Sequence, residues 1–169
     1  MKKLIGIMVI IVIACLPLTM YGCHKVESYE VMKSTFAFGA DGFHYAPTIE
    51  LSVGETVYMA LEVKVNAYNK NGKQEGHEEV QCTLTIPKIT AIDAYYYSGQ
   101  PITGKPDPLT GNVTYTFTIG TNTTKTDGEK FIFKFVPAEA GSVRMDLTFA
   151  DPIPQRYNTF KIIDFVNEE

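Results

Sequence analysis

Between Thr56 and Val65 the chain alternates strictly, with Val57, Met59, Leu61, Val63 and Val65 against Thr56, Tyr58, Ala60, Glu62 and Lys64. The same period of two recurs in Val80, Cys82, Leu84 and Ile86, and again in Val113, Tyr115, Phe117 and Ile119, where threonines fill the intervening positions. Phe131, Phe133 and Phe135 repeat it, as do Val143, Met145, Leu147 and Phe149. Successive side chains of a strand point to opposite faces, so each run has one apolar and one wet face, the requirement of an antiparallel sheet packed on one side.

Tyr29 to Phe38, Thr48 to Val53, Ile89 to Tyr97 and Asn158 to Val166 alternate less regularly but are rich in Thr, Val, Ile, Tyr and Phe, the residues that suit a pleated, half-buried surface. Turn chemistry separates the runs: Asp41-Gly42, Asn71-Gly72, Asp127-Gly128 read as a hairpin turn, and a loop from Ser98 to Asn112 carrying Pro101, Pro106 and Pro108. No helical periodicity of useful length appears. The pattern predicts an all-β antiparallel sandwich of eight or nine strands over residues 29–169.

The first 22 residues follow a different rule. Lys2 and Lys3 precede an apolar run from Leu4 to Leu18, the layout of a signal peptide, which predicts export. The run closes with Met20-Tyr21-Gly22-Cys23, which resembles the lipobox of bacterial lipoproteins. In that family a small residue precedes a cysteine that is diacylated on sulfur and becomes the new N-terminus. The resemblance makes 1–22 the signal peptide, Cys23 the lipidation site and 23–28 a lipidated tether. Tyr21 is bulkier than the pattern usually has.

Two alternatives stay open. Val12-Ile13-Ala14-Cys15 also fits the lipobox, but cleavage there would leave an apolar Leu16-Pro17-Leu18 start, whereas Cys23 is followed by polar His24-Lys25. An uncleaved anchor from Leu4 to Tyr21 would be near the lower limit of the ~17–25 residues that span a bilayer, with Pro17 inside it. With Cys23 acylated, each buried CH₂ contributes ~0.8 kcal/mol, and two chains give stable anchoring. The tether reaches roughly 20 Å when fully extended, which places the sandwich close to its membrane on the extracytoplasmic face.

Charge narrows the partners. The chain carries 15 basic and 19 acidic residues, and losing Lys2 and Lys3 leaves 13 against 19, a net charge of −6. With no Lys/Arg cluster, an exported acidic chain is a poor nucleic-acid binder. Beyond the signal there are only Cys23 and Cys82. The alternation around Cys82 puts it in the core, where an apolar setting quiets a thiol.

Phe133-Lys134-Phe135-Val136-Pro137-Ala138-Glu139-Ala140-Gly141-Ser142-Val143-Arg144-Met145 resembles the E–F corner of immunoglobulin-like domains, with Glu139 at an Asp position and Gly141 at a Gly. Val53 to Leu61 resembles strand B. The family's corner tyrosine is replaced by Val143, and its two cysteines by Leu61 and Met145. The resemblance implies an immunoglobulin-like β-sandwich in which Leu61 and Met145 fill the space a disulfide would take.

The chemistry-bearing residues are sparse. There is no G-x-S-x-G, and His77-Glu78 lacks the second histidine of a zincin motif, so we expect no catalytic residue, metal or cofactor. His44 and His77 read as loop residues, and Asp127 and Glu129 around Gly128 as turn residues rather than calcium ligands. Tyr95-Tyr96-Tyr97 is the one aromatic cluster that invites a function. On a strand, Tyr95 and Tyr97 share a face and Tyr96 points away, which makes Tyr95 and Tyr97 candidate ligand-binding residues for a glycan or a surface protein. The leading expectation is a non-enzymatic binding or adhesion lipoprotein. The rivals are a solute-binding or accessory subunit of an envelope transporter or enzyme complex, which needs a pocket or apolar patch, and a lipid-anchored hydrolase, which needs a cleft joining a histidine to a carboxylate and a hydroxyl.

Overall fold

The computed structural model describes residues 26–47 and 50–167. The expected signal peptide, Cys15, Cys23 and the first part of the expected tether lie outside the described residues, as do Thr48 and Ile49.

Among the described residues ten strands form, in chain order β1 (Ser28–Gly39), β2 (Leu51–Ser52), β3 (Val57–Tyr68), β4 (Glu79–Ile86), β5 (Ile89–Tyr96), β6 (Gly104–Pro106), β7 (Val113–Gly120), β8 (Glu129–Pro137), β9 (Gly141–Phe149) and β10 (Thr159–Val166), with one 3₁₀ turn at Gln155–Tyr157. The alternating runs became β3, β4, β7, β8 and β9. Two details differ from the sequence reading. The Ser98–Asn112 loop contains β6, three residues that pair with β7 from Gly104↔Tyr115 to Pro106↔Val113. Of the Thr48–Val53 run, Leu51 and Ser52 are strand; they lie parallel to Phe165 and Val166 of β10.

A four-stranded sheet in the order β1-β3-β8-β5 faces a six-stranded sheet in the order β2-β10-β9-β4-β7-β6. The protein is thus an all-β, immunoglobulin-like sandwich. β8 and β9 belong to opposite sheets, so the Phe133–Met145 stretch is an arch between layers, as its resemblance to an E–F corner implies. Leu61 of β3 and Met145 of β9 face one core from the two sheets and are fully buried.

The Asp127-Gly128 turn is a correction. It joins β7 to β8, which lie in different sheets, so it closes a crossover from 121 to 128 and no hairpin forms. Asn122 fixes that crossover. It takes a positive φ of 53°; its Oδ1 accepts from Ala67 N at 2.9 Å, and its Nδ2 donates to the carbonyls of Glu75 and Gly76 at 2.9 Å each. One amide thereby supplies the bonds that a strand neighbour would give to the end of β3.

The core is aromatic at its centre. Phe133 meets Tyr115 edge-on at 5.0 Å, and Phe117 lies 4.5 Å from Phe131 and 5.9 Å from Phe133, tilted geometries that such rings favour. Cys82 is fully buried among these residues, as its alternation predicts. Burial pushes its thiol up to about 12, and desolvation does the same to the Tyr115 phenol.

In the folded chain, Cys82 should therefore resist iodoacetamide at pH 8, and peptide mapping should find it labelled only after denaturation. For both groups the native state holds a proton that the unfolded chain releases first, so stability falls as pH rises. The loss begins above the ordinary thiol value of 9.0 and continues towards about 12. A urea midpoint that stayed flat between pH 9 and 11 would contradict this.

Candidate functional site

The outer face of the four-stranded sheet gathers rings and lysines. Tyr58 of β3 lies opposite Lys134 of β8, Ala60 opposite Ile132, and Glu62 opposite Lys130. On the other side of β8, Asp93 pairs with Lys134 and Tyr95 with Ile132, and Tyr97 N donates to Lys130 O at 2.9 Å. Strand alternation turns the phenylalanines between these residues inward and leaves the tyrosines and lysines outside.

A bulge sets which tyrosines face out. In a straight β5, Tyr95 and Tyr97 would share the buried face of Ile89. The register slips between Ala91 and Asp93, leaving Ile92 unpaired, and one extra residue inverts the alternation beyond it. Tyr96 consequently packs inward at 5.2 Å from Phe131, with its hydroxyl accepting from Thr118 N at 2.9 Å. Tyr97 is left 72% exposed. The predicted division of the tyrosine triplet holds, with Tyr95 and Tyr97 on one side and Tyr96 on the other.

After β1 the chain folds back over this face. Phe38 and Ala46 exchange backbone hydrogen bonds at 2.7 and 2.8 Å, and the segment between them lies above Gly39, where a Cβ would overlap the His44 carbonyl. Glycine at 39 is what lets the loop descend. The Asp41 carboxylate accepts from Phe43 N and His44 N at 2.9 Å each and meets His44 Nδ1 at 2.7 Å. These bonds, led by the one from His44 N, hold the Asp41 carboxyl well below the usual carboxylate range, and the Asp41 side chain raises the His44 imidazole. His44 is a loop residue, as predicted, and serves as a clamp.

The loop delivers Tyr45 to the sheet. Its hydroxyl donates to Gly42 O at 2.9 Å, and burial first, then neighbouring Tyr95, Asp41, Tyr58 and Tyr97, raises its phenol. Lys130 Nζ sits 4.9 Å from the centre of the Tyr45 ring and 5.4 Å from that of Tyr97, and Lys134 Nζ is 5.2 Å from that of Tyr58. These are cation–π distances. Tyr45, Tyr58, Lys130 and Lys134 were missed in the sequence. That the last three point outward was legible from alternation; that Tyr45 and Lys130 gather beside Tyr97, and Lys134 beside Tyr58, was not.

A second concave feature lies at the end of the sandwich where the chain enters β1. His77, Glu78, Glu79, Thr123, Lys125 and Glu129 line an open groove of about 330 Å³. The Thr121 carbonyl accepts from His77 Nδ1 at 2.5 Å, which leaves Nε2 as the basic nitrogen. Glu78 accepts from the Tyr29 hydroxyl, and Glu129 Oε1 from Gly120 N at 3.3 Å. His77 is thus a loop residue on a groove. Asp127 turns elsewhere, to Lys33 Nζ at 3.1 Å, so the two carboxylates flanking Gly128 do not converge. Among the described residues, no group of three or more His, Cys, Asp or Glu is placed to hold a metal ion.

The chain matches no protein-family model and no curated protein. Among solved structures, it is similar to the cohesin module of a Clostridium perfringens family 33 glycoside hydrolase, with 9% identity and a TM-score of 0.44 over 80% of this chain and 98% of that one. It is similar also to BslA, described as a bacterial hydrophobin, at 8% identity and a TM-score of 0.46 over 86% of this chain and 98% of the other. A third structure, BspA_C_WT, gives 11% identity and a TM-score of 0.44 over 79% of this chain and 50% of that chain. Likenesses this distant assign the chain to no family, and its architecture rests on the strand pairings above.

Proposed function

We propose that this chain is a membrane-anchored surface lipoprotein, held on the extracytoplasmic face through Cys23, whose sandwich is a non-enzymatic binding module. The observation that carries the binding role is the outer face of the four-stranded sheet, where Tyr45 and Tyr97 flank Lys130. A half-buried ring and an exposed one around a cation form a surface that loses little conformational entropy when a ligand lands on it. β1 leaves the tether at its first residue and runs 12 residues before the covering loop begins, so the platform is carried outward from the anchored end.

Two experiments test the two halves separately. Cys23→Ser should move the protein from the membrane fraction to the soluble fraction, because the proposed acyl chains sit on that sulfur; continued partitioning with lipid would place the anchor at Cys15 or in the apolar run before it. Tyr45→Ala/Tyr97→Ala should abolish retention of the purified protein on stripped cells of its own kind at unchanged thermal stability. Undiminished retention would remove the platform from the function.

A second reading, an accessory or solute-binding subunit, draws on the groove around His77, which is large enough for a small polar solute. The same groove holds a histidine, carboxylates and the residue Thr123, the ingredients named above for a hydrolase. It is open to solvent, and no bond links His77 to the Thr123 hydroxyl among the described residues, so the binding reading stands ahead of it.

A further inference from the structure

Among the described residues, Lys130 and Lys134 are the lysines that lie against aromatic rings. Lys33 is paired with Glu62 and Asp127, and Lys88 with Glu139. Lys130 and Lys134 are half-buried on the central strand β8, yet among the described residues neither has a carboxylate within ion-pairing distance; each instead lies against tyrosine rings. The acids opposite them in register are bonded elsewhere, Glu62 to Lys33 at 2.7 Å and Asp93 Oδ1 to Ala94 N at 2.9 Å, and Asp41 of the covering loop is held by His44.

Resting on the binding reading above, we propose that this face takes an anionic polysaccharide, its sugar rings stacked on Tyr45, Tyr58, Tyr95 and Tyr97 and its carboxylate or phosphate groups met by Lys130 and Lys134. Three features favour this occupant. The two lysines are four residues apart on one strand, about 13 Å at the strand rise, so they match a polymer with repeated charges better than a single small anion. Flat aromatic faces pack against the apolar C–H face of a saturated sugar ring. An extended peptide would add to a strand edge, and beside the platform those edges already carry chain of their own at two points. Ala46 pairs with Phe38 of β1, and Gln100 and Ile102 bond to Tyr96 and Ala94 of β5.

The test uses the full-length protein in detergent, titrated by affinity electrophoresis against polygalacturonate, a phosphomannan, neutral dextran and poly-glutamate. Binding to polygalacturonate or the phosphate polymer is expected, at least tenfold tighter than to dextran or poly-glutamate and weakened by salt; which of the two binds identifies the anionic group. Lys130→Gln/Lys134→Gln should lose at least tenfold, while Lys130→Arg/Lys134→Arg should retain binding, and thermal melts report whether each variant is folded. The proposal falls if the glutamine pair binds as the parent does, if poly-glutamate binds as tightly as the sugar polymers, or if neither anionic sugar polymer binds. In that last case, a Tyr45→Ala/Tyr97→Ala variant that still loses cell-surface retention would preserve the platform's role and reject only the ligand class.

Discussion

Phe133→Ala should destabilise the sandwich by about 3–5 kcal/mol, the range for removing a buried aromatic side chain. Phe133 is fully buried at the middle of β8, between Met59 of β3 and Ala94 of β5, and its ring touches Tyr115 and Phe117 from the facing sheet. It therefore ties three strands of one layer to the other. Rigid strands on both sides cannot close the space, so the cavity term adds to the lost transfer energy. Urea unfolding should show a lower midpoint at unchanged slope. Leu109→Ala, at a loop residue 94% exposed, should change stability by no more than about 0.5 kcal/mol. A Phe133→Ala loss below about 1 kcal/mol would mean that the aromatic centre is not packed as described.

Gly128→Ala should cost about 3–5 kcal/mol, through left-handed strain plus overpacking. Gly128 has a φ of +83°, and a Cβ there would overlap the Val63 carbonyl oxygen and lie 2.7 Å from its carbon and 2.8 Å from Lys64 Cβ. Both obstacles belong to the central strand β3, which cannot retreat without breaking its register with β1 and β8. Gly54 gives the comparison: it has a φ of +88°, but a Cβ there would have nothing within 4 Å. Gly54→Ala should show the strain alone, about 1–2 kcal/mol. Equal losses at the two positions would remove the close approach as a cause.

Much of the architecture was written in the alternation. The apolar sets of β3, β4, β7, β8 and β9 are the core, and Cys82 lies where its neighbours' spacing puts it. Asp127-Gly128 shows where local signals stop. A turn dipeptide states that the chain bends, and whether it then meets the same sheet or the opposite one depends on which strands have already paired. Here β7 joins β4 while β8 joins β3, so the bend became a crossover held by Asn122.

The binding platform divides along the same line. Alternation alone placed Lys130, Lys134 and Tyr58 on the wet side of their strands, because a period of two leaves no other choice once Phe131, Phe133 and Phe135 are inside. Tyr95 and Tyr97 reach that side only through the bulge at Ile92, and Tyr45 only because the loop after β1 folds back across Gly39. By itself the sequence determined the alternating strands and the core they share. The tertiary structure alone decided which rings surround which lysines, since neighbours across a sheet are set by strand order and register, and these depend on residues far apart in the chain.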